Sequence, residues 1–203
     1  MTTATDAAGD RARAYRQLAH LIAFPNREVH KALQTSAVEA VDGHGNAVDV
    51  PTPYEAYEAE YIRLFEIAPK RPPCPLYEGY WRGRDGTERR ELMAELMRFY
   101  RFFGLSLGES VREMPDHLAV ELEFMAVLTD GEAAAVAEDG DGKSFRRAQR
   151  DVLQRHLGHW TPKVNGTIHE IDAHPFFQAL VAEIDAQVQA DLDMIIEGEV
   201  SCD

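Results

Sequence analysis

The chain has 203 residues, 45% of them hydrophobic, which is enough to bury a real core and excludes global disorder. Its 35 acidic residues against 21 basic ones give a net charge of −14, so it lacks the basic footprint of a general nucleic-acid binder and draws basic partners to its surface. Cys74 and Cys202 lie far apart and outside any CxxC, which excludes a disulfide framework or a cysteine-rich zinc site and fits a reducing cytoplasm.

Residues 1–13 are polar and hold no apolar signal core, and no apolar run has the length to cross a bilayer, so a cytoplasmic protein without membrane insertion is expected. Helical periodicity then runs through most of the chain. The spacing predicts a first helix over 6–24, closed by Pro25, and a second over 26–41 with Asn26 as its cap. Turn chemistry follows at Asp42-Gly43-His44-Gly45-Asn46, and Ala47-Val48-Asp49-Val50 is the sole strand candidate. A third helix over 52–67 sets Tyr54, Tyr57, Tyr61, Leu64 and Phe65 at helical spacing, a stripe that reads as core.

Pro69, Pro72, Pro73 and Pro75 bar a regular helix from the first half of the segment 69–86, which also carries Leu76, Tyr77, Tyr80 and Trp81. Rings of that size beside a proline-rich turn either anchor a peptide partner or plug the end of a bundle, and the sequence leaves both readings open. Thr87 caps a fourth helix ending at Gly104, and residues 105–113 form a candidate hinge. A fifth helix opens at Pro115 and ends near Thr129, followed over 130–142 by an acidic stretch with glycines, expected to be a mobile loop. Helices over 143–157, 159–171 and 175–196 complete an all-α reading: one globular helical bundle of about eight helices with a proline-rich aromatic loop, spanning residues 1–203 as a single domain.

The stretch Met114-Pro115-Asp116-His117-Leu118-Ala119-Val120-Glu121-Leu122-Glu123-Phe124-Met125 carries ionisable groups where a plain core helix would be apolar. Pro115 suits a first helical turn, and Asp116 sets a negative charge at the positive end of the helix dipole. At about 100° per residue, Leu118, Leu122, Phe124, Met125 and Leu128 share an arc with His117 and Glu121, while Asp116 and Glu123 face the other way. A polar pair inside an apolar stripe is costly unless partnered. His117 and Glu121, four apart, suit a metal pair or an acid–base dyad, but with no third partner marked, a satisfied pair pinning the helix to its surroundings is the simpler reading. His156 with His159, and His169 with His174, have spacings a metal site can use, but no matching carboxylates accompany them, and His156 near Trp160 reads as a packed, hydrogen-bonded corner. Phosphate-binding glycine loops, the GxSxG elbow and HExxH are absent.

Taken together, these residues resemble the TorD/DmsD/NarJ family of chaperones for molybdenum enzymes. Three blocks carry the resemblance: Glu60-Tyr61 with Leu64-Phe65, leading into Pro73, Pro75, Leu76, Tyr77 and Glu78; the stretch 114–125; and His156-Leu157 with Trp160, then Phe176-Phe177. Pro75-Leu76-Tyr77-Glu78, the run 98–103 and the middle block are closest to chaperones of type II enzymes of the dimethyl sulfoxide reductase family, which act on dimethyl sulfide, ethylbenzene, selenate or chlorate.

The resemblance implies an all-α fold and a cytoplasmic protein that is not an enzyme and holds no cofactor or metal of its own. It implies binding to the N-terminal twin-arginine leader of a molybdoenzyme catalytic subunit while the molybdenum cofactor is inserted before export. It carries Asp116 and His117 over as leader contacts, with Tyr77 in the adjoining groove. Trp81 and Glu123 join the expected leader site, and Glu121, Pro115 and Tyr61 its supporting shell. An acidic chain with a partly apolar groove complements a leader that joins two arginines to an apolar stretch. A monomer is the expected state. The competing readings are a metal-dependent hydrolase using His117, Glu121 and a histidine of the C-terminal half, and an adaptor subunit that binds a helix.

Overall fold

The computed structural model describes residues 4–35, 40–41, 47–66, 72–82, 86–105, 113–138 and 140–200. The elements among them, in chain order, are α1 (Ala4–Ile22), α2 (Arg27–Thr35), β1 (Ala40–Val41), β2 (Ala47–Val48), α3 (Tyr54–Tyr61), a π-helical turn Ile62–Glu66, α4 (Gly79–Arg82), α5 (Gly86–Phe102), α6 (Leu118–Ala137), α7 (Lys143–Val152), a second π-helical turn Leu153–Leu157, α8 (Gly158–Glu170) and α9 (Pro175–Val200). The fold is all-α, as expected. The strand candidate at 47–48 pairs antiparallel with 40–41, a two-residue ladder within a helical molecule. The candidate hinge lies largely outside the described residues.

The centre of the molecule is α6. Leu118, Leu122, Phe124, Met125, Ala126 and Leu128 are buried on several sides of it, so the helix is enclosed rather than amphipathic. It packs along α1 and α7, while α8 and α9 pack on each other. The predicted aromatic stripe belongs to this core. Tyr57 stacks on Phe177 at 5.3 Å between ring centroids, and Tyr61 meets Phe65 edge-on at 4.9 Å.

The acidic stretch 130–142 differs from expectation, because α6 continues through it to Ala137. Gly131 is not a loop signal but a close approach: a Cβ there would overlap the Phe145 ring of α7. Glu132 is not solvated either. Buried at 5% exposure, it accepts from Arg146 Nε at 2.8 Å and from Gln149 Nε2 at 2.8 Å. Arg11 of α1 donates to Gln149 Oε1 at 2.8 Å and pairs with Asp191 of α9 at 2.8 Å. One acid thus ties the last turns of α6 to α7, and through Arg11 to α1 and α9. The turn into α7 falls on Gly142, whose φ of 59° is left-handed and suits glycine.

Replacing Glu132 removes the acceptor of Arg146 Nε and leaves Gln149 Nε2 with the Leu128 carbonyl alone. Glu132→Ala is expected to cost about 1–3 kcal/mol in urea denaturation, as losing the acceptor of buried hydrogen bonds does. Asp130, paired with Arg16 in solvent, is the control: Asp130→Ala should change stability by no more than about 1 kcal/mol.

Candidate functional site

The site forms where the proline-rich segment crosses the start of α6. Tyr77 and His117 face each other in an isolated antiparallel bridge. Glu78 N–H donates to the Asp116 carbonyl at 2.9 Å, and Leu118 N–H donates to the Leu76 carbonyl at 2.8 Å. The first N–H groups of a helix have no partner within it, and here the crossing segment supplies one. The other partner is His117, the N-cap, whose Nδ1 accepts from Ala119 N–H at 3.2 Å. In return Asp116 Oδ2 accepts from Gly79 N–H at 3.2 Å at the start of the single-turn α4. The approach is tight enough that a Cβ on residue 79 would lie 3.0 Å from that oxygen.

This geometry corrects two expectations. Pro115 and Asp116 are not the first turn of the helix, which begins two residues later at Leu118; they form the turn leading into it. A helical wheel therefore does not apply to Asp116. Far from facing solvent, Asp116 is fully buried, as are His117 and Glu121. Burial raises the Asp116 carboxyl above the ordinary aspartate value, against the pull of the Gly79 N–H and Arg89. Burial also pulls His117 down to about 4, leaving a neutral ring near Glu113, whose carboxylate lies 3.8 Å from Nε2.

Beneath the bridge lies a buried polar cluster. Glu78, fully buried, places Oε2 2.9 Å from His156 Nδ1 and pairs through Oε1 with Arg82 of α4. His156 stands in the second π-helical turn, with Nε2 3.6 Å from Glu95 of α5, and Glu95 also pairs with Arg155. Glu121 accepts from Trp160 Nε1 at 3.4 Å. Burial, with the nearby Glu78 and Asp116 carboxylates, raises Glu121 well above the ordinary glutamate value. His117 and Glu121 therefore do not act as a dyad: the ring turns to Ala119 and the carboxyl to Trp160. His156 and Trp160 do form the buried corner expected of them.

The remaining expected residues divide by exposure. Tyr77 is half-buried, donates to Glu113 Oε2 at 2.7 Å and lies edge-on to His117 at 4.8 Å. Trp81 is half-buried and donates from Nε1 to the Pro75 carbonyl at 2.9 Å. Pro115 accepts from Tyr100 Oη at 2.7 Å. Glu123 is exposed on α6, outside the cluster. Tyr61 serves the core, donating to the Ile22 carbonyl at 3.1 Å. Sequence reasoning assigned no site role to Glu78, Arg82, Glu95 or Tyr100. Glu78 had a visible signal, an acid directly after the apolar run Pro75-Leu76-Tyr77. Among the described residues, no three of His, Cys, Asp and Glu are grouped to hold a metal ion, and no helix is long and apolar enough to cross a membrane.

The raised Glu121 value fixes a sign. An acid held protonated by the fold lends stability that is complete below its unfolded value, about 4.3, and is lost as pH rises toward its folded value. Glu121→Gln, which keeps an acceptor for Trp160 without the titration, should therefore melt above the parent at pH 8, with the gap closing toward pH 4. A gap independent of pH in thermal melts would mean that Glu121 is not the titrating group.

Over residues 11–165 the chain matches the nitrate reductase delta subunit family. It is 44% identical over 129 residues to the selenate reductase assembly chaperone protein of Thauera selenatis, a stretch covering 62% of this chain and 64% of that one. It is 37% identical over 165 residues to the chlorate reductase assembly chaperone protein of Ideonella dechloratans, covering 80% and 78%. To the dimethyl sulfide dehydrogenase assembly chaperone protein of Rhodovulum sulfidophilum it is 37% identical over 210 residues, covering 88% and 84%. These relatives are assembly chaperones rather than enzymes, and the selenate, chlorate and dimethyl sulfide enzymes in their names are among those the sequence resemblance indicates. By the extent of the match, this chain belongs to the nitrate reductase delta subunit family.

Proposed function

We propose that the chain is a cytoplasmic maturation chaperone for the catalytic subunit of a molybdoenzyme of the dimethyl sulfoxide reductase family, type II. In this reading it binds the twin-arginine leader of that subunit as a monomer and assists molybdenum cofactor insertion before export. The observation that carries the reading is the match to assembly chaperones of selenate reductase, chlorate reductase and dimethyl sulfide dehydrogenase. The loop–helix junction supports it with a surface of fitting chemistry. Tyr77, Tyr80 and Trp81 present ring surface around a one-turn helix, with Tyr80 39% exposed. Such rings suit the apolar part of a leader.

Burial divides the work among the expected site residues. Tyr77 and Trp81 meet the leader, and Glu123 offers an exposed carboxylate on α6. Asp116 and His117, fully covered, position the loop that carries the rings. Glu121, Pro115 and Tyr61 support the junction and the core behind it.

Calorimetry with a synthetic leader, two adjacent arginines followed by an apolar stretch, tests this directly. Trp81→Ala is expected to weaken binding about tenfold, the effect of losing one aromatic anchor. Affinity should also fall as salt is raised, since exposed charge attraction is screened. No measurable binding by the unaltered protein would sink the leader-binding reading. Asp116→Ala separates positioning from contact: it strips Gly79 of its acceptor and should cost about 1–3 kcal/mol of stability, whereas a surface contact would lower affinity and leave the melting temperature in place.

A further inference from the structure

Away from the loop–helix junction, α5 and α7 leave a groove between them. Phe99, Phe102, Phe103 and Ala148 form its apolar lining, and Arg98 and Arg147 flank it. The Glu95–Arg155 ion pair also lines it, as does Asp151, itself paired with Arg150.

Two features set this groove apart from ordinary surface. The first is Phe102, 78% exposed, more than any other large hydrophobic side chain among the described residues. Single apolar residues on a surface need no explanation, but this ring is not single. It meets Phe103 edge-on at 5.0 Å, and Phe103 continues to Phe145 at 5.3 Å and to Phe124 of α6 at 6.0 Å. Phe102 is thus the outer end of a ladder of rings rooted in the core, so the protein holds an aromatic face open to water.

The second feature is charge. Arg98 and Arg147 are exposed. On a chain of net charge −14, these two guanidinium groups beside the exposed ring have no carboxylate partner among the described residues. Arginine forks bind carboxylates in a directed way.

The geometry points to a docking groove for an acidic, amphipathic segment of a partner protein. Its apolar residues would lie on Phe99 and Phe102, and its carboxylates would pair with Arg98 and Arg147. An arginine-bearing leader has the wrong charge for these flanks, so the groove is separate from the leader surface proposed above and does not depend on it.

Fluorescence anisotropy with two labelled synthetic helices of equal length tests the assignment. Both carry leucines along one face; one is flanked by glutamates and the other by lysines. The glutamate helix should bind and the lysine helix should not. Phe102→Ala should weaken binding about tenfold, and reversing both flanks with Arg98→Glu and Arg147→Glu should abolish it. Phe102→Leu should keep most of it. Because all three side chains are exposed, these variants should fold, which an unchanged melting temperature verifies. None of them should alter affinity for the arginine-bearing leader peptide.

Three outcomes overturn the proposal. The glutamate helix does not bind, or binds the Phe102→Ala variant as tightly as the parent. The same substitutions weaken the leader peptide equally, which makes the groove part of the leader site. Or sedimentation shows a dimer that Phe102→Ala dissociates, which makes the occupant a second copy of this chain. Loss of leader binding in the unaltered protein, with the groove still taking the glutamate helix, would remove the leader reading and leave this one standing.

Discussion

Two backbone hydrogen bonds, from Glu78 N–H to the Asp116 carbonyl and from Leu118 N–H to the Leu76 carbonyl, hold the rest of the site in place. The central helix α6 starts in the interior, where an unpaired N–H is costly. A crossing chain segment must supply acceptors, and the proline-rich segment does so. Once it is held there, the consequences are geometric. Tyr77 is set against His117, Gly79 is brought under the Asp116 carboxyl, and the Glu78 side chain is sent inward to His156. Prolines suit this task, because a segment that pairs with a helix end rather than with a sheet can do without some of its own N–H donors.

That crossing also decides how the acids behave. Glu78, Asp116 and Glu121 are all buried within one cluster, and a buried carboxyl is costly unless it is partnered. Each has a different compensation. Glu78 has His156 and Arg82. Asp116 has a backbone N–H and the field of Arg89. Glu121 has the indole of Trp160 and the field of Arg82, and burial still raises it well above the ordinary glutamate value. The formal charge of the chain therefore overstates what this region shows to a ligand. What the junction presents outward is chiefly ring surface from Tyr77, Tyr80 and Trp81, set on a rigid polar base.

Much of the fold was legible because helical periodicity is a local signal. The predicted helices 175–196 and 87–104 correspond to α9 and α5 to within a few residues, and the tyrosine stripe on α3 is core as its spacing implied. The errors have physical causes. Gly131 and its acidic neighbours resembled a loop, but the glycine admits Phe145 and Glu132 serves as a buried acceptor, both set by α7 rather than by local sequence. The π-helical turns break the period by a residue and leave no mark in composition. At the site, the unusual chemistry of Asp116, His117 and Glu121 could be read, but their burial could not, because the segment that covers them lies some forty residues earlier. The pairing of Glu78 with His156 spans 78 residues, beyond the reach of any spacing argument.

Helix α5 joins the two faces of the molecule, and its charge pattern separates what the helix itself explains from what it does not. Its first half mixes Glu88, Glu91 and Glu95 with Arg89 and Arg90, and of its later arginines only Arg101 stands in the last turn, where a helix dipole favours a cation. The dipole does not account for Arg98, which lies a turn before the end. Nor does it account for Arg147, which lies mid-helix in α7, or for Phe102, which stays 78% exposed although it meets Phe103 edge-on. Those two residues come from different helices and meet in one groove. A feature assembled from separate elements, unexplained by either alone, is the kind that folding does not require. On the docking proposal above, its rationale is an acidic segment of a partner.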